Sequence, residues 1–297
     1  MRYSKRNPKM LKFTSREISR RVNKILNFIG LKVIRLSTDL EYQRLSQDYY
    51  RDFRSGADID FLTSLPRHTT RKMLELIRSS QAQIRQDLFA LAALDFKRNG
   101  YFVDFGATNG IDLSNTFLME REFNWTGILC EPARVWHEDL QANRSSMIDN
   151  RCVWSTSAEQ IEFIETNHPE LSTTSQNAEF DSHSTSRNDG KKYYVESVSL
   201  MDLLIQHGAP KHIDYLSIDT EGSEFIILKD FDFARYTFGV ITVEHNYTSQ
   251  RQDLFELLTS VGYQRVYPEI SQFDDWYINS SIIVDSLVEE RREKIVN

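Results

Sequence analysis

Cysteine is nearly absent from this 297-residue chain, which has two, Cys130 and Cys152. Two thiols cannot build a disulfide framework or a multi-cysteine zinc site. Both fall in apolar, strand-like runs, where a small buried side chain is the expected role, and a reducing, intracellular compartment fits. Long apolar runs are missing as well. No stretch reaches the roughly 18 residues of a transmembrane helix. The nearest, residues 25–34, is broken by Asn27, Gly30 and Lys32, and it lacks the small-x-small cleavage site of a signal peptide. There is no internal repeat. Basic residues are in the minority, 36 against 43 acids for a net charge of −7.

What is there is a chain that is 40% hydrophobic, enough for a sizeable core in one enlarged domain or two small ones. Its charge is unevenly spread. Residues 1–35 carry eleven Lys and Arg and one acid, Glu17, a net of +10; the rest carries 25 basic residues and 42 acids, a net of −17. The acidic body argues against nucleic acid as a partner. In the arm, Ile18, Val22, Ile25, Leu26 and Ile29 fall at helical spacing, with Arg16, Arg20, Arg21 and Lys24 on other faces. This fits an interfacial helix on an anionic membrane, or a helix packed on its own domain or a partner. The expected location is cytoplasmic, with peripheral contact at the inner face of a membrane through residues 1–35 as an option.

Beyond the arm, residues 36–80 read as a polar, partly helical linker region, residues 81–285 as the main domain and residues 286–297 as a charged tail. Helix spacing covers 70–97, and Asn99-Gly100 reads as its C-cap stop. Strands are then expected near 101–105, 126–130, 150–154, 213–218, 239–244, 263–267 and 276–283. Helices are expected at 112–123, 133–143, 199–207, 222–229 and 249–260. This alternation predicts an α/β fold with an open, mostly parallel sheet and helices on both faces. Residues 155–198 interrupt the rhythm with two strand-like runs around a Ser/Thr/Asn-rich stretch, 172–190. That pattern fits a hairpin arm with a long loop, either a lid or a plain surface loop.

Three polar clusters fall at predicted carboxyl ends of strands, where open α/β sheets bind ligands. The first is Asp104-Phe-Gly106-Ala-Thr-Asn-Gly110, a strand end, a turn and an expected helix start. Its glycines allow close backbone approach to a ligand. A second run, Gly127 to Cys130, ends in Glu131, at the spacing where an acid holds two ribose hydroxyls. Together these point to a nucleoside-type cofactor. The second cluster is Asp219-Thr-Glu221-Gly-Ser-Glu224 and the third is Glu244-His245-Asn246. Clustered acids such as Asp219, Glu221 and Glu224 suit Mg²⁺, but acids in a first turn also cap the helix. Capping is favoured for Glu224, active-site placement for Asp219 and Glu221, and no metal ligand is assigned.

The blocks Gln86-Asp-Leu-Phe89, Gly100-Tyr-Phe-Val-Asp-Phe-Gly-Ala107 with Gly110, Leu113-Ser-Asn-Thr116 and Trp125-Thr-Gly-Ile-Leu-Cys-Glu-Pro132 occur in this order. They are followed by Ile213-Asp-Tyr-Leu-Ser-Ile-Asp-Thr-Glu-Gly-Ser-Glu224, Val243-Glu-His-Asn246 and Gly262-Tyr263. From about Gln83 to Tyr277 the chain resembles the FkbM-type S-adenosylmethionine-dependent methyltransferase family. It departs from the family pattern at Thr108, Asn109 and Ser217, the last where many members place Lys. Residues 1–80 lie outside the resemblance.

The resemblance implies a Rossmann-like, class I methyltransferase fold with a seven-stranded sheet, and S-adenosylmethionine as cofactor. Asp104, Gly106 and Gly110 would line its methionine end, together with Ala107 and Asn109. Glu131, followed by Pro132, would take the ribose hydroxyls, and Cys152 to Ser155 would lie near adenine. His245 is the expected catalytic base, oriented by Glu244 or Asp219, with Glu221 and Asn246 on the substrate side. By family analogy the reaction is O-methylation of a sugar hydroxyl on a glycan or glycolipid precursor, or of a secondary metabolite. The competing readings are a catalytically silent binding or trafficking module that keeps the fold, and a nicotinamide-dependent oxidoreductase. The glycine spacing argues against the second of these.

Overall fold

The computed structural model describes residues 56–179 and 184–281; the basic arm, the start of the linker region and the charged tail lie outside them. The described residues from Ala57 onward belong to one compact unit. After a helical stretch at 56–64 come helices α1, Arg67–Leu76, and α2, Gln86–Ala93. Strand β1, Tyr101–Phe105, opens the sheet, followed by α3, Phe117–Phe123; β2, Thr126–Cys130; α4, His137–Asn143; and β3, Met147–Asp149. An arm follows: β4, Cys152–Trp154; β5, Gln160–Glu165; β6, Thr173–Thr174; the short helix α5, Ser184–Arg187; and β7, Lys191–Ser199. The chain then resumes α6, Leu200–Gln206; β8, His212–Ile218; α7, Glu224–Leu228; β9, Thr237–Glu244; α8, Gln250–Ser260; β10, Tyr263–Val266; and β11, Asp274–Asn279.

Seven strands form one sheet in the order β10-β11-β9-β8-β1-β2-β3. Strands β9, β8, β1, β2 and β3 are mutually parallel, and β11 is antiparallel to both β9 and β10. The chain leaves β1 toward β3 on one side and resumes at β8 on the other, so the order reverses between β1 and β8. That reversal opens a crevice at the carboxyl ends of the two strands, where ligands of such sheets bind.

Strand β1 is buried on both faces, as central parallel strands are. Phe102 packs into a core with Leu88, Phe89, Trp125 and Trp276, whereas Val103 and Phe105 face Leu203, Leu216 and Leu258. Residues 57–80, read from the sequence as part of a linker, contribute Phe61, Leu65 and Met73 to the first core. Block 86–89 is a clamp. Phe89 stacks on Trp276 at a centroid distance of 4.6 Å, and Gln86 Nε2 donates to Asp274 Oδ2 at 3.0 Å.

Four expectations need correction. The strand expected at 150–154 is β4, which turns away to pair with β7 in a separate sheet ordered β4-β7-β5-β6, and the edge strand of the main sheet is the earlier β3. The helix expected at 112–123 begins only at Phe117. Before it, Asn109 Oδ1 accepts from the backbone N–H groups of Ile111 and Asp112, at 2.9 Å each, and holds an Asx turn that competes with helix. The helix before β1 stops at Ala93, well before Asn99-Gly100. Gly100 serves packing instead, since a Cβ there would come 2.5 Å from the Trp125 ring. Finally, the polar stretch 172–190 is folded over much of its length, with Thr173, Thr174, Asn177 and Arg187 buried. The hairpin itself forms, in the register Gln160↔Glu196 to Glu165↔Lys191.

Among the described residues no helix is long and apolar enough to cross a membrane. Gly127 lies opposite Phe102 in the β1–β2 ladder, and a Cβ there would overlap the Phe102 carbonyl oxygen and ring. Gly127→Ala is therefore expected to cost about 1–3 kcal/mol, the usual penalty of overpacking, read as a lower midpoint in urea unfolding.

Candidate active site

A cavity of about 360 Å³ opens at the carboxyl ends of β1, β2, β8 and β9, within the size range of small-molecule sites. The sheet supplies Asp104, Cys130, Glu131, Asp219 and Glu244, and the arm supplies Phe163 and residues 169–172 and Thr174. Four non-glycine residues on the wall hold left-handed backbone: Thr108 (φ 47°), Leu113 (62°), Glu221 (57°) and Asn246 (42°). Such strain costs of order 1–3 kcal/mol per residue and gathers at functional sites.

The glycine loop is held by Glu131 and Arg144. Glu131 Oε2 accepts from Thr108 N and Oε1 from Ala133 N, both at 2.8 Å. Each oxygen keeps a second lone pair for a ligand hydroxyl. Gly106 adopts φ +83°, and a Cβ there would strike the Asp219 carbonyl oxygen, so this glycine joins the first two clusters as well as lining the cavity. Gly110 does not line it; a Cβ there would come 2.6 Å from Arg144 Cγ. Nor do Ala107, which is buried, and Asn109, which is spent on its turn. Pro132 does line it.

Arg144 gave no signal in the sequence, because a single Arg after a helix has no motif. Buried, it donates to Gly110 O at 3.1 Å, to Glu120 Oε2 at 3.0 Å and to Thr116 Oγ1 at 3.1 Å. Thr116 Oγ1 in turn donates to Asp104 Oδ2 at 2.6 Å. The Asp104 carboxyl thus sits at the end of a chain anchored on a cation, although burial still raises its pKa. Asn115 was also missed as an individual residue. Its Nδ2 donates to Ser217 Oγ at 3.0 Å, and its buried Oδ1 has no partner on the cavity wall.

At the other end Asp219, Glu221 and Glu244 come together, with Asn246 Nδ2 3.5 Å from Glu221 Oε2. Glu224 closes the turn before α7 rather than capping the helix as expected: its Oε1 accepts from Thr220 N, Thr220 Oγ1 and Gly222 N, at 2.9–3.0 Å, and α7 has no side-chain cap bond. Burial pushes Asp219 up to about 7, against a hydrogen bond with Glu244. Glu244 is raised well above the carboxylate range by burial and by the charges of Asp219 and Glu221. His245 does not line the cavity. Its Nδ1 accepts from Tyr247 N at 2.9 Å, its Nε2 lies 3.8 Å from Asp275 Oδ1, and burial lowers its pKa to about 4. The side chain next to Glu244 on a strand end points to the opposite face, so the geometry that brings Glu244 to the cavity turns His245 away from it. Cys130 and Cys152 are buried on the wall, and burial pushes the Cys152 thiol up to about 12. Both are apolar surface rather than nucleophiles.

The chain matches the family model of the methyltransferase FkbM domain over residues 104–273, more than half its length. It belongs to the FkbM methyltransferase family. No curated protein matches it. The match starts at Asp104 and ends at Phe273, so it includes β1's polar end, the arm and all three clusters, and the family implies an S-adenosylmethionine-dependent methyltransferase. The cavity fits that cofactor. Glu131 has acceptor capacity left, Asp104 offers a buried carboxyl, Asn115 Oδ1 lacks a partner, and Cys152, Val153 and Phe163 give an apolar wall.

This methyltransferase should lose stability as pH rises. Burial pushes Glu131 from 4.5 to about 7, against bonds from Ala133 and Thr108. The folded protein therefore keeps a proton that the unfolded chain releases near 4.5, and the associated stability disappears as pH passes 7. Asp219, raised from 3.8 to about 7, acts in the same direction. The expected result is a Tm that falls between pH 4.5 and 7.5 in the ligand-free protein, with a shallower fall in Glu131→Gln, measured by scanning calorimetry.

Proposed function

We propose that the chain is an S-adenosylmethionine-dependent O-methyltransferase whose acceptor is a neutral, hydroxyl-rich molecule, such as a sugar of a glycan or glycolipid precursor. The observation that carries this reading is the makeup of the cavity wall: six acidic side chains, Asp104, Glu131, Glu170, Asp219, Glu221 and Glu244, and no Lys or Arg. Carboxyl oxygens accept hydrogen bonds from hydroxyls, and a wall without Lys or Arg offers no cation to a phosphorylated or acidic acceptor.

Asp104 and Gly106 would meet the methionine end, Glu131 the ribose hydroxyls, and Cys152, Val153 and Phe163 the adenine. When bound, the cofactor supplies a methyl group already activated on a sulfonium. The protein's task is then to hold the acceptor oxygen in line and receive its proton. Asp219, on the cavity wall beside Glu244, is the proton acceptor in this reading; His245, directed at Asp275, is a packing residue. The arm over the cavity keeps bulk water from the transfer.

Calorimetric titration with S-adenosylmethionine tests the cofactor half. Glu131→Ala should weaken binding at least tenfold, because hydrogen bonds to a charged group contribute about 1.5–3 kcal/mol each, and Gly106→Val should abolish it. Unchanged affinity in both would remove the site. The acceptor half is tested with paired neutral and phosphorylated sugars. Methylation on oxygen, with kcat/KM at least tenfold higher for the neutral partner, is expected; transfer only to nitrogen, or a preference for phosphate, would reject it. Asp219→Asn should lower kcat by about 10²–10⁴, the range of general base catalysis, while His245→Gln stays within a few-fold of wild type. The net charge of +10 over residues 1–35 supports peripheral contact of that arm with anionic membrane, expected as salt-sensitive vesicle binding that is lost when the arm is deleted.

A further inference from the structure

The three acids at the acceptor end of the cavity make a cluster larger than a proton acceptor needs. Asp219 stands in the turn after β8, Glu221 two residues on and Glu244 at the end of β9. One carboxylate oxygen from each lies within 4.8 Å of those of the other two. Arg187 Nη2 reaches Glu221 Oε2 from the arm at 2.9 Å, which leaves the charges of the other two uncompensated by any cation on the cavity wall.

Glu244 supplies an independent sign of a ligand. The residue is only 6% exposed, it lines the cavity, and its Oε2 has no hydrogen-bond partner. A buried carboxylate oxygen left unsatisfied is costly. The spacing also fits one ion. Oxygens bound to a common Mg²⁺ at about 2.1 Å, or Ca²⁺ at about 2.4 Å, lie at most about 4–5 Å apart. With carboxylates alone and no His or Cys, the donor set selects a hard cation.

We propose that Asp219, Glu221 and Glu244 form a divalent-cation site of the Mg²⁺ and Mn²⁺ class at the acceptor end of the cavity. Glu224, grouped with Asp219 and Glu221 by sequence, is not a ligand because its Oε1 already accepts three hydrogen bonds. The ion would balance the acids that Arg187 does not reach. Its remaining coordination positions, filled by water, would face the cavity and could hold an acceptor oxygen. The site stands on these side chains and does not depend on the acceptor being a sugar.

The test uses the full-length protein, stripped with a chelator, without acceptor or S-adenosylmethionine. Mn²⁺ titration followed by electron paramagnetic resonance should find one ion per chain, displaced by Mg²⁺. Glu244→Gln and Asp219→Asn should each weaken Mn²⁺ at least tenfold, whereas Glu170→Gln, an exposed acid on the cavity rim, should bind like wild type. Mn²⁺ should raise the Tm of wild type and fail to raise that of Glu244→Gln. A wild type that binds no Mn²⁺ overturns the proposal whatever the variants do, and so does binding that both substitutions leave unchanged. Affinity for S-adenosylmethionine, measured separately, reports on the cofactor site alone, so a failure there with Mn²⁺ binding intact counts against the proposed methyl transfer and not against the cation.

Discussion

Buried negative charge at one end of the sheet governs this molecule. The carboxyl ends of β1, β2, β8 and β9 deliver Asp104, Glu131, Asp219 and Glu244 to one crevice, and burial raises the pKa of all four. Each of these acids would be more stable in water or beside a cation. The surroundings can be read as responses to that cost. Arg144 is threaded through the glycine loop to reach Asp104 by way of Thr116, backbone N–H groups of Thr108 and Ala133 grip Glu131, and Arg187 comes in from the arm to meet Glu221. These supports reach Asp104, Glu131 and Glu221, and no Lys or Arg on the cavity wall meets Asp219 or Glu244.

The arm meets one of these acids directly. It is not a loop laid over the surface. Strands β5 and β7 form a ladder of their own, Thr173 Oγ1 donates to Glu221 O at 2.8 Å, and Arg187 is buried against the acids. Thus the segment that closes one side of the cavity is held at Glu221, a member of the acid cluster. Glu221, whose backbone is left-handed, joins the two: its carboxylate meets Arg187 and its carbonyl meets Thr173, both on the arm.

Much of this was legible from local pattern. The apolar runs ending in Asp104, Glu131, Asp219 and Glu244 are strands ending in polar groups, and in a parallel sheet all such ends lie on one edge. Period and chain direction therefore suffice to bring distant acids together. That Glu224 would be used locally was legible too, although its bonds within four residues close the turn before α7 instead of capping the helix. The role of Arg144 was not: its partners lie between residues 110 and 120, and no spacing rule links a lone arginine to them. His245 was misjudged for a related reason. Its neighbour Glu244 lines the cavity, but adjacent residues on a strand face opposite ways, and His245 Nε2 lies 3.8 Å from Asp275 Oδ1 on β11 instead.

By itself the sequence determined the α/β class, the parallel sheet, the family and the strand-end acids, because these rest on hydrophobic period and on motifs within a few residues. Tertiary structure alone decided that β4 would leave the main sheet, that Gly110 would pack against Arg144, and that Glu244 rather than Glu224 would join Asp219 and Glu221. Those outcomes depend on which side chain wins a shared space or a shared hydrogen bond across 20 to 100 residues of chain. Such competition is settled by packing and desolvation, which act only once the strands are side by side.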